Sequence, residues 1–298
     1  MINVDEIVAP DTHTRVSMSV DAPPRAASEG AEAMAKYFRT EVVATTVPQM
    51  AAHYRERKMA FVAFMVDAAS ATGEPPGVTN GEIAALAAEH SDVVIPFGSL
   101  DPRAGKAAVN AARRLVSEDE VPGFKLHPNA QAFYPNDRTF YPLYALLEQL
   151  GVPALFHSGH NGIGAGVGGG SRVRLKCSNP MLVDDVAVDF PDLAIILTHP
   201  SFPWQDEVLS VCLHKPTVHI DLSDWSPRHF PPSLIKHANT LLRGKLQFGS
   251  DYPVVIPDRW LSDLDRAPIR DEVRPLILKE NAVRLLKLGG EAGSSAIA

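Results

Sequence analysis

Eight short apolar runs, separated by amphipathic stretches, constrain this chain more than any other feature it has. The runs fall near 7–13, 59–67, 93–100, 121–127, 153–158, 193–199, 217–222 and 245–251. Helix-like segments lie between them near 46–58, 80–91, 105–118, 139–150, 180–190, 204–214 and 232–243, and two more follow at 258–265 and 271–288. Such alternation is the signature of parallel βα units. The stretch after Asn179 shows the logic. Asn179 can cap, Pro180 suits the first helical position, and Leu182, Val183, Val186 and Phe190 recur at helical spacing while Asp184 and Asp185 face away. Eight such units fit a closed (β/α)8 TIM barrel better than an open doubly wound sheet. We expect one domain over residues 1–298, with its core at about 7–288. Residues 14–45 are poor in strand signals and contain Asp21-Ala-Pro-Pro-Arg25, so they form an excursion after the first strand, placed to act as a lid. The last ten or so residues, rich in Gly, Ser and Ala, are expected to fray.

Composition narrows the class. A formal charge of -7 argues against non-specific binding to nucleic acid or to an anionic membrane. No apolar run approaches the roughly 18 residues of a membrane helix, and the N-terminus has neither the basic start nor the apolar core of a signal peptide. Two cysteines, Cys177 and Cys212, are too few for a disulfide framework. A cytoplasmic enzyme acting on a small molecule is the expectation, and a homodimer through a barrel-side helix is compatible with it.

Polar groups of one kind stop the apolar runs. Ile7-Val-Ala-Pro-Asp11-Thr-His13 ends the first, Gly123-Phe-Lys125-Leu-His127 the fourth, Pro153-Ala-Leu-Phe-His157 the fifth, Leu193-Ala-Ile-Ile-Leu-Thr-His199 the sixth and Gln247-Phe-Gly-Ser-Asp251 the eighth. In a barrel those ends converge on one mouth. Strand alternation puts Asp11, His13 and Arg15 on one face, and Lys125 and His127 on another. Imidazoles with a carboxylate suit zinc, iron(II), manganese or cobalt with an open position for water. Asp251 is then both a ligand and the acceptor of that water's proton. His160, Arg172, Arg174 and Trp204 lie on the loops after the fifth and sixth strands, where they would meet a substrate; Arg15 and His127 join them as substrate contacts. Gly164-Ala-Gly166-Val-Gly-Gly169 matches a dinucleotide fingerprint as a string, but no helix opens from it. No Gly-x-Ser-x-Gly elbow supports a serine hydrolase.

Asp11-Thr-His13-Thr-Arg15, Phe156-His157, Thr198-His199-Pro200, Phe248-Gly-Ser-Asp251-Tyr-Pro253 and the ending Leu278-Lys-Glu-Asn281-Ala282-Val-Arg-Leu285-Leu286 together resemble the amidohydrolase superfamily. They are most similar to its amidohydrolase-related group, which includes metal-dependent decarboxylases of aromatic and muconate acids. The resemblance implies a divalent ion (Zn, Fe or Mn; one or two per chain) held by His13, His157, His199 and Asp251. His199 is a ligand or a catalytic acid/base. The family's first-strand His-x-His pair is broken here, because Arg15 stands at its second position and a guanidinium is not a ligand. Asp11 is the candidate to replace it. Lys125 stands where two-metal members carry a bridging carbamylated lysine. The implied reaction is hydrolysis of an ester, thioester or amide of a small organic acid, with non-oxidative decarboxylation of an aromatic or unsaturated acid as the alternative.

Overall fold

The computed structural model describes residues 1–22, 29–38 and 44–289. Parts of the expected excursion, and the tail expected to fray, lie outside the described residues. Each strand-like run becomes a parallel strand: β1 (Ala9–Arg15), β2 (Met59–Phe64), β3 (Val94–Pro96), β4 (Gly98–Ser99), β5 (Phe124–Leu126), β6 (Ala154–His157), β7 (Ile195–Thr198), β8 (Val218–Asp221) and β9 (Leu246–Gln247). The order is β1-β2-β3 in one sheet and β4 through β9 in the other. Nine labelled segments make eight barrel strands, since β3 and β4 are one run broken at Phe97. The first half pairs with β2 and the second with β5, and the Phe97 N–H still donates to Ala63 O at 2.9 Å. The opposite seam closes without a regular ladder. Thr12 N–H donates to Phe248 O (3.0 Å), Asp251 N–H to His13 O (2.9 Å) and Arg15 N–H to Tyr252 O (2.9 Å). The result is a (β/α)8 barrel.

Period-two alternation divides each strand between two cores. On β2, Ala60, Val62 and Phe64 face the barrel interior with Ile95, Phe97, Leu155 and Ile196, while Phe61 and Ala63 face the helical layer. The helices α2 (Val47–Glu56), α4 (Asn80–Glu89), α5 (Lys106–Ser117), α6 (Tyr141–Leu150), α7 (Met181–Asp189), α8 (Gln205–His214), α9 (Pro232–Ala238) and α10 (Pro257–Arg266) supply that layer, and the one-turn α3 (Ala69–Thr72) follows β2 outside it. Their ends show why they start and stop. The Thr46 N–H donates to Gln49 Oε1 at the head of α2 (3.1 Å), Glu82 N–H donates to Thr79 Oγ1 at the head of α4 (3.1 Å), and Gly151, in the left-handed region, ends α6. The segment expected to be one helix over 271–288 is instead a π-helical turn, Leu276–Glu280, running into α11 (Asn281–Leu285). There Asn281 is wholly buried and donates to Arg243 O and Leu246 O, so the turn closes the bottom of the last strand. Within the excursion lies α1 (Glu29–Phe38), which has no counterpart in the sequence reading. Among the described residues, no helix is long and apolar enough to cross a membrane.

The broken third strand depends on a glycine across from it. A Cβ on Gly123 would lie 2.3 Å from Phe97 Cζ, and Phe97 is a fully buried ring of the inner core. Gly123→Ala is therefore expected to destabilise the fold by about 1–3 kcal/mol, the usual penalty of overpacking. Urea unfolding checks this, and a midpoint equal to the parent's would refute it.

Candidate active site

The first strand builds the site by breaking its own alternation. Ala9 packs outward with the helical layer, and Asp11 follows it. Its oxygens accept from the Tyr54 hydroxyl of α2 (2.7 Å), the Ser250 hydroxyl (2.5 Å), the Ser250 N–H (2.9 Å) and the His13 N–H (3.1 Å). A carboxylate offers about four acceptor positions, and all are used. Burial pushes the Asp11 pKa up to about 7 against the pull of those bonds. Between Asp11 and Thr14 the pairing with β2 slips, as in a β-bulge. The slip turns His13 inward, where its ring meets Phe64 at 4.9 Å and His199 at 5.0 Å. The expectation of one shared face for Asp11, His13 and Arg15 assumed an unbroken strand. The bulge corrects it: Asp11 holds the seam, and its hydrogen bonds go to Tyr54, Ser250 and the His13 backbone rather than to a histidine ring.

His13 stands between two buried acids. Its Nδ1 is 3.3 Å from Asp221 Oδ2 at the end of β8, and its Nε2 is 3.4 Å from Asp251 Oδ1. Asp251 is in turn gripped by Arg15, with Nε 3.1 Å from Oδ1 and Nη2 2.9 Å from Oδ2. Burial disfavours the Asp251 charge, but the Arg15 charge and the Arg15 hydrogen bonds outweigh it and hold the carboxyl below the usual carboxylate range. Arg15 is a quarter exposed while Asp251 is sealed, so the guanidinium forms the outward wall of the pair.

A second group lines the other side. His127 stacks on His157 at 4.0 Å, and His157 meets His199 edge-on at 4.8 Å. His199 Nδ1 lies 2.9 Å from Ser223 Oγ and 3.1 Å from the Ser223 carbonyl. With its proton there, His199 Nε2 accepts from His157 Nδ1 at 3.2 Å. His157 Nε2, His127 Nδ1 and Lys125 Nζ are buried without a hydrogen-bond partner. Burial, with neighbouring positive charge, drives His13, His127 and His157 well below the ordinary histidine value, and burial takes His199 to about 4. Burial likewise lowers Lys125 to about 7, and its ammonium sits 5.2 Å over the Phe64 ring. The imidazoles are thus neutral at pH 7.

These donors can be tested against a divalent ion. Two ligands of a tetrahedral zinc stand about 3.3 Å apart, so the His13–Asp251 and His157–His199 pairs each have a suitable spacing. The pairs do not combine: among the described residues, no three His, Cys, Asp or Glu side chains form a group that could hold an ion. Each Asp251 oxygen already accepts from Arg15, and all the acceptor positions of Asp11 are taken at the seam. A divalent charge about 4 Å from a guanidinium would be opposed by about 8 kcal/mol at an effective dielectric near 20. As arranged, the expected set of Asp11, His13, Lys125, His157, His199 and Asp251 does not fit a metal.

Several contributors escaped the sequence reading. Asp221 ends the seventh strand as His199 ends the sixth, and its inward parity was available from Val218-His-Ile-Asp221. A Cβ on Gly249 would come within 2.6 Å of Asp221 Oδ1, so glycine is required beside it. Burial and the nearby Asp251 raise Asp224 to about 7. Tyr54 and Ser250 carried no readable signal, since their role is set by the bulge. Of the loop candidates, His160 Nε2 meets the Tyr37 hydroxyl of α1 at 2.9 Å, which brings the excursion to the loop after β6. Arg172 and Arg174 are exposed on an irregular loop whose glycines open no helix, and Trp204 is half-buried at the head of α8. Trp260, which follows the eighth strand, is fully buried against Phe248. Four strand-end residues, His199, Ser201, Asp224 and Asp251, adopt left-handed backbone with φ of 72°, 61°, 66° and 66°.

The polar groups gather at the carboxyl ends of the barrel strands, the face on which enzymes of this fold carry their active sites. Residues 11–288 match the model of the amidohydrolase family, and the chain belongs to that family. Among solved structures, a TIM-barrel protein of uncharacterised function from Bordetella bronchiseptica shares 21% identity over 94% of this chain and 98% of its own, with a TM-score of 0.73. A 2,6-dihydroxybenzoate decarboxylase from Rhizobium shares 15% over 95% and 100%, at 0.67. A 5-carboxyvanillate decarboxylase from Novosphingobium aromaticivorans, solved with bound manganese, shares 13% over 96% and 99%, at 0.66. At these identities the likeness is one of fold. No protein of curated function matches the chain.

Asp11→Asn tests its structural role. The amide would place an NH2 group among donors, so at pH 8 the variant is expected to lose about 1–3 kcal/mol in chemical denaturation. An unchanged midpoint would return Asp11 to the list of candidate ligands.

Proposed function

We propose that this member of the amidohydrolase family hydrolyses an ester, thioester or amide of a small organic acid. The observation that carries the reading is the ionised Asp251, held by Arg15 and touching His13. Asp251 takes the proton of a water attacking the carbonyl carbon. His13, 3.4 Å from it, passes that proton towards Asp221, 3.3 Å beyond. Burial makes Asp221 the weaker acid of the two, which gives the relay its direction. Lys125, buried and without a hydrogen-bond partner, stabilises the oxyanion that forms. When the tetrahedral intermediate collapses and its bond to the leaving group breaks, the proton returns through His13 and Asp251 to the leaving oxygen, sulfur or nitrogen; His199, aimed by Ser223, bounds that side, and the outer edge of Arg15 receives the substrate's carboxylate. His127 and His160 contact the substrate from the β5 and β6 sides, with Arg172, Arg174 and Trp204 on the loops beyond. The family expectation of a zinc, iron or manganese ion, like the manganese of the decarboxylase above, would require Arg15 to release Asp251.

Non-oxidative decarboxylation of an aromatic or unsaturated acid is the second reading. It is favoured by Lys125, whose unpartnered ammonium suits a substrate carboxylate, and by the reaction class of the decarboxylases that share the fold. A panel of esters, thioesters and amides of small dicarboxylic acids, run beside hydroxybenzoates, separates the two. Hydrolysis yields a new carboxylate with an alcohol, thiol or amine, and decarboxylation releases CO2. On the turned-over substrate, Asp251→Asn is expected to lower kcat by about 10^2–10^4 with the fold retained. Activity within threefold of the parent would remove Asp251 from its role.

A further inference from the structure

The second position of the first-strand motif carries a guanidinium, and that guanidinium has found a partner inside the site. Arg15 Nε and Nη2 make two parallel hydrogen bonds to Asp251, the bidentate geometry that arginine forms with carboxylates. The pair is set deep, since Asp251 has no exposed surface and its N–H is tied to His13 O across the barrel seam. Three acids, Asp221, Asp224 and Asp251, face the two cations Arg15 and Lys125 in one buried cluster. At Asp251 itself the guanidinium already supplies the positive charge that a bound cation would bring.

We propose that Arg15 replaces the divalent ion in this chain: its guanidinium permanently occupies the cation's place at Asp251, and the resting protein binds no metal at its barrel mouth. The inference does not depend on which bond the enzyme breaks. It concerns ion content alone, so it can fail while the hydrolytic reading stands, and the reverse. It also says what a relative with histidine at this position would gain. An imidazole in place of Arg15 removes the competing charge, frees both Asp251 oxygens and adds a nitrogen donor beside His13 and Asp251.

The test is metal content. The full chain is expressed in medium supplemented with zinc, iron and manganese, dialysed against metal-free buffer and assayed by mass spectrometry. The parent is expected to carry less than about 0.1 equivalent per chain, and Arg15→His about one. Addition of ZnCl2 or MnCl2 should leave the parent's melting temperature unmoved and raise that of Arg15→His with the logarithm of ion concentration, as for a ligand bound only by the folded state. Arg15→Gln removes the charge without adding a donor. It should bind the ion at least tenfold more weakly than Arg15→His yet above the parent, and it decides the matter if the histidine variant does not fold. A parent that retains near-stoichiometric metal overturns the proposal. So does a folded pair of variants whose ion content and melting response match a metal-free parent, because Arg15 would then not be what excludes the ion.

Discussion

Four donors on one buried carboxylate organise this barrel. Asp11 takes hydrogen bonds from Tyr54 on one side of the seam, from Ser250 on the other and from His13 on its own strand. A buried acid left unsatisfied would cost several kcal/mol, so those contacts are fixed together. They explain why β1 slips against β2 where it does. The slip sets the rest: His13 swings inside, Thr12 reaches Asp221, and the segment after β9 joins β1 through single hydrogen bonds. The seam and the site are therefore one structure, and an acid that looks like a ligand in the sequence is what closes the barrel.

Charge at the mouth follows from that geometry. Asp251 is the last group before the chain turns away from the barrel, and Arg15 is the last residue of β1, so the closed seam sets them side by side. In water such a pair would be worth little. Here the acid is sealed and the guanidinium is its outer wall, so loss of Arg15 would leave a buried carboxylate without its partner. The histidines sit behind them, neutral and crowded, with several ring nitrogens that no side chain satisfies.

Most of the architecture was legible. Eight runs became eight strands, and the order of strand-end groups located the mouth, because a parallel barrel leaves those groups nowhere else to converge. The failures have specific causes. Period-two reasoning put Asp11 beside His13, and a bulge is invisible to a periodicity argument. Asp221 was readable by the same strand-end rule that singles out Asp251. The single departure Arg15 was plain in the sequence; its consequence needed the distance to Asp251.

The left-handed backbone at His199, Ser201, Asp224 and Asp251 has a further meaning. Side-chain-bearing residues are held there at a cost of order 1 kcal/mol each, where glycine would sit without strain. The molecule thus spends stability to keep an imidazole and two carboxylates pointed across its mouth. That reserve is a liability in any effort to make the protein hardier. The substitutions that relax the turns most readily are the ones that erase its chemistry, so gains in robustness have to be sought in the helical layer, away from the strand ends.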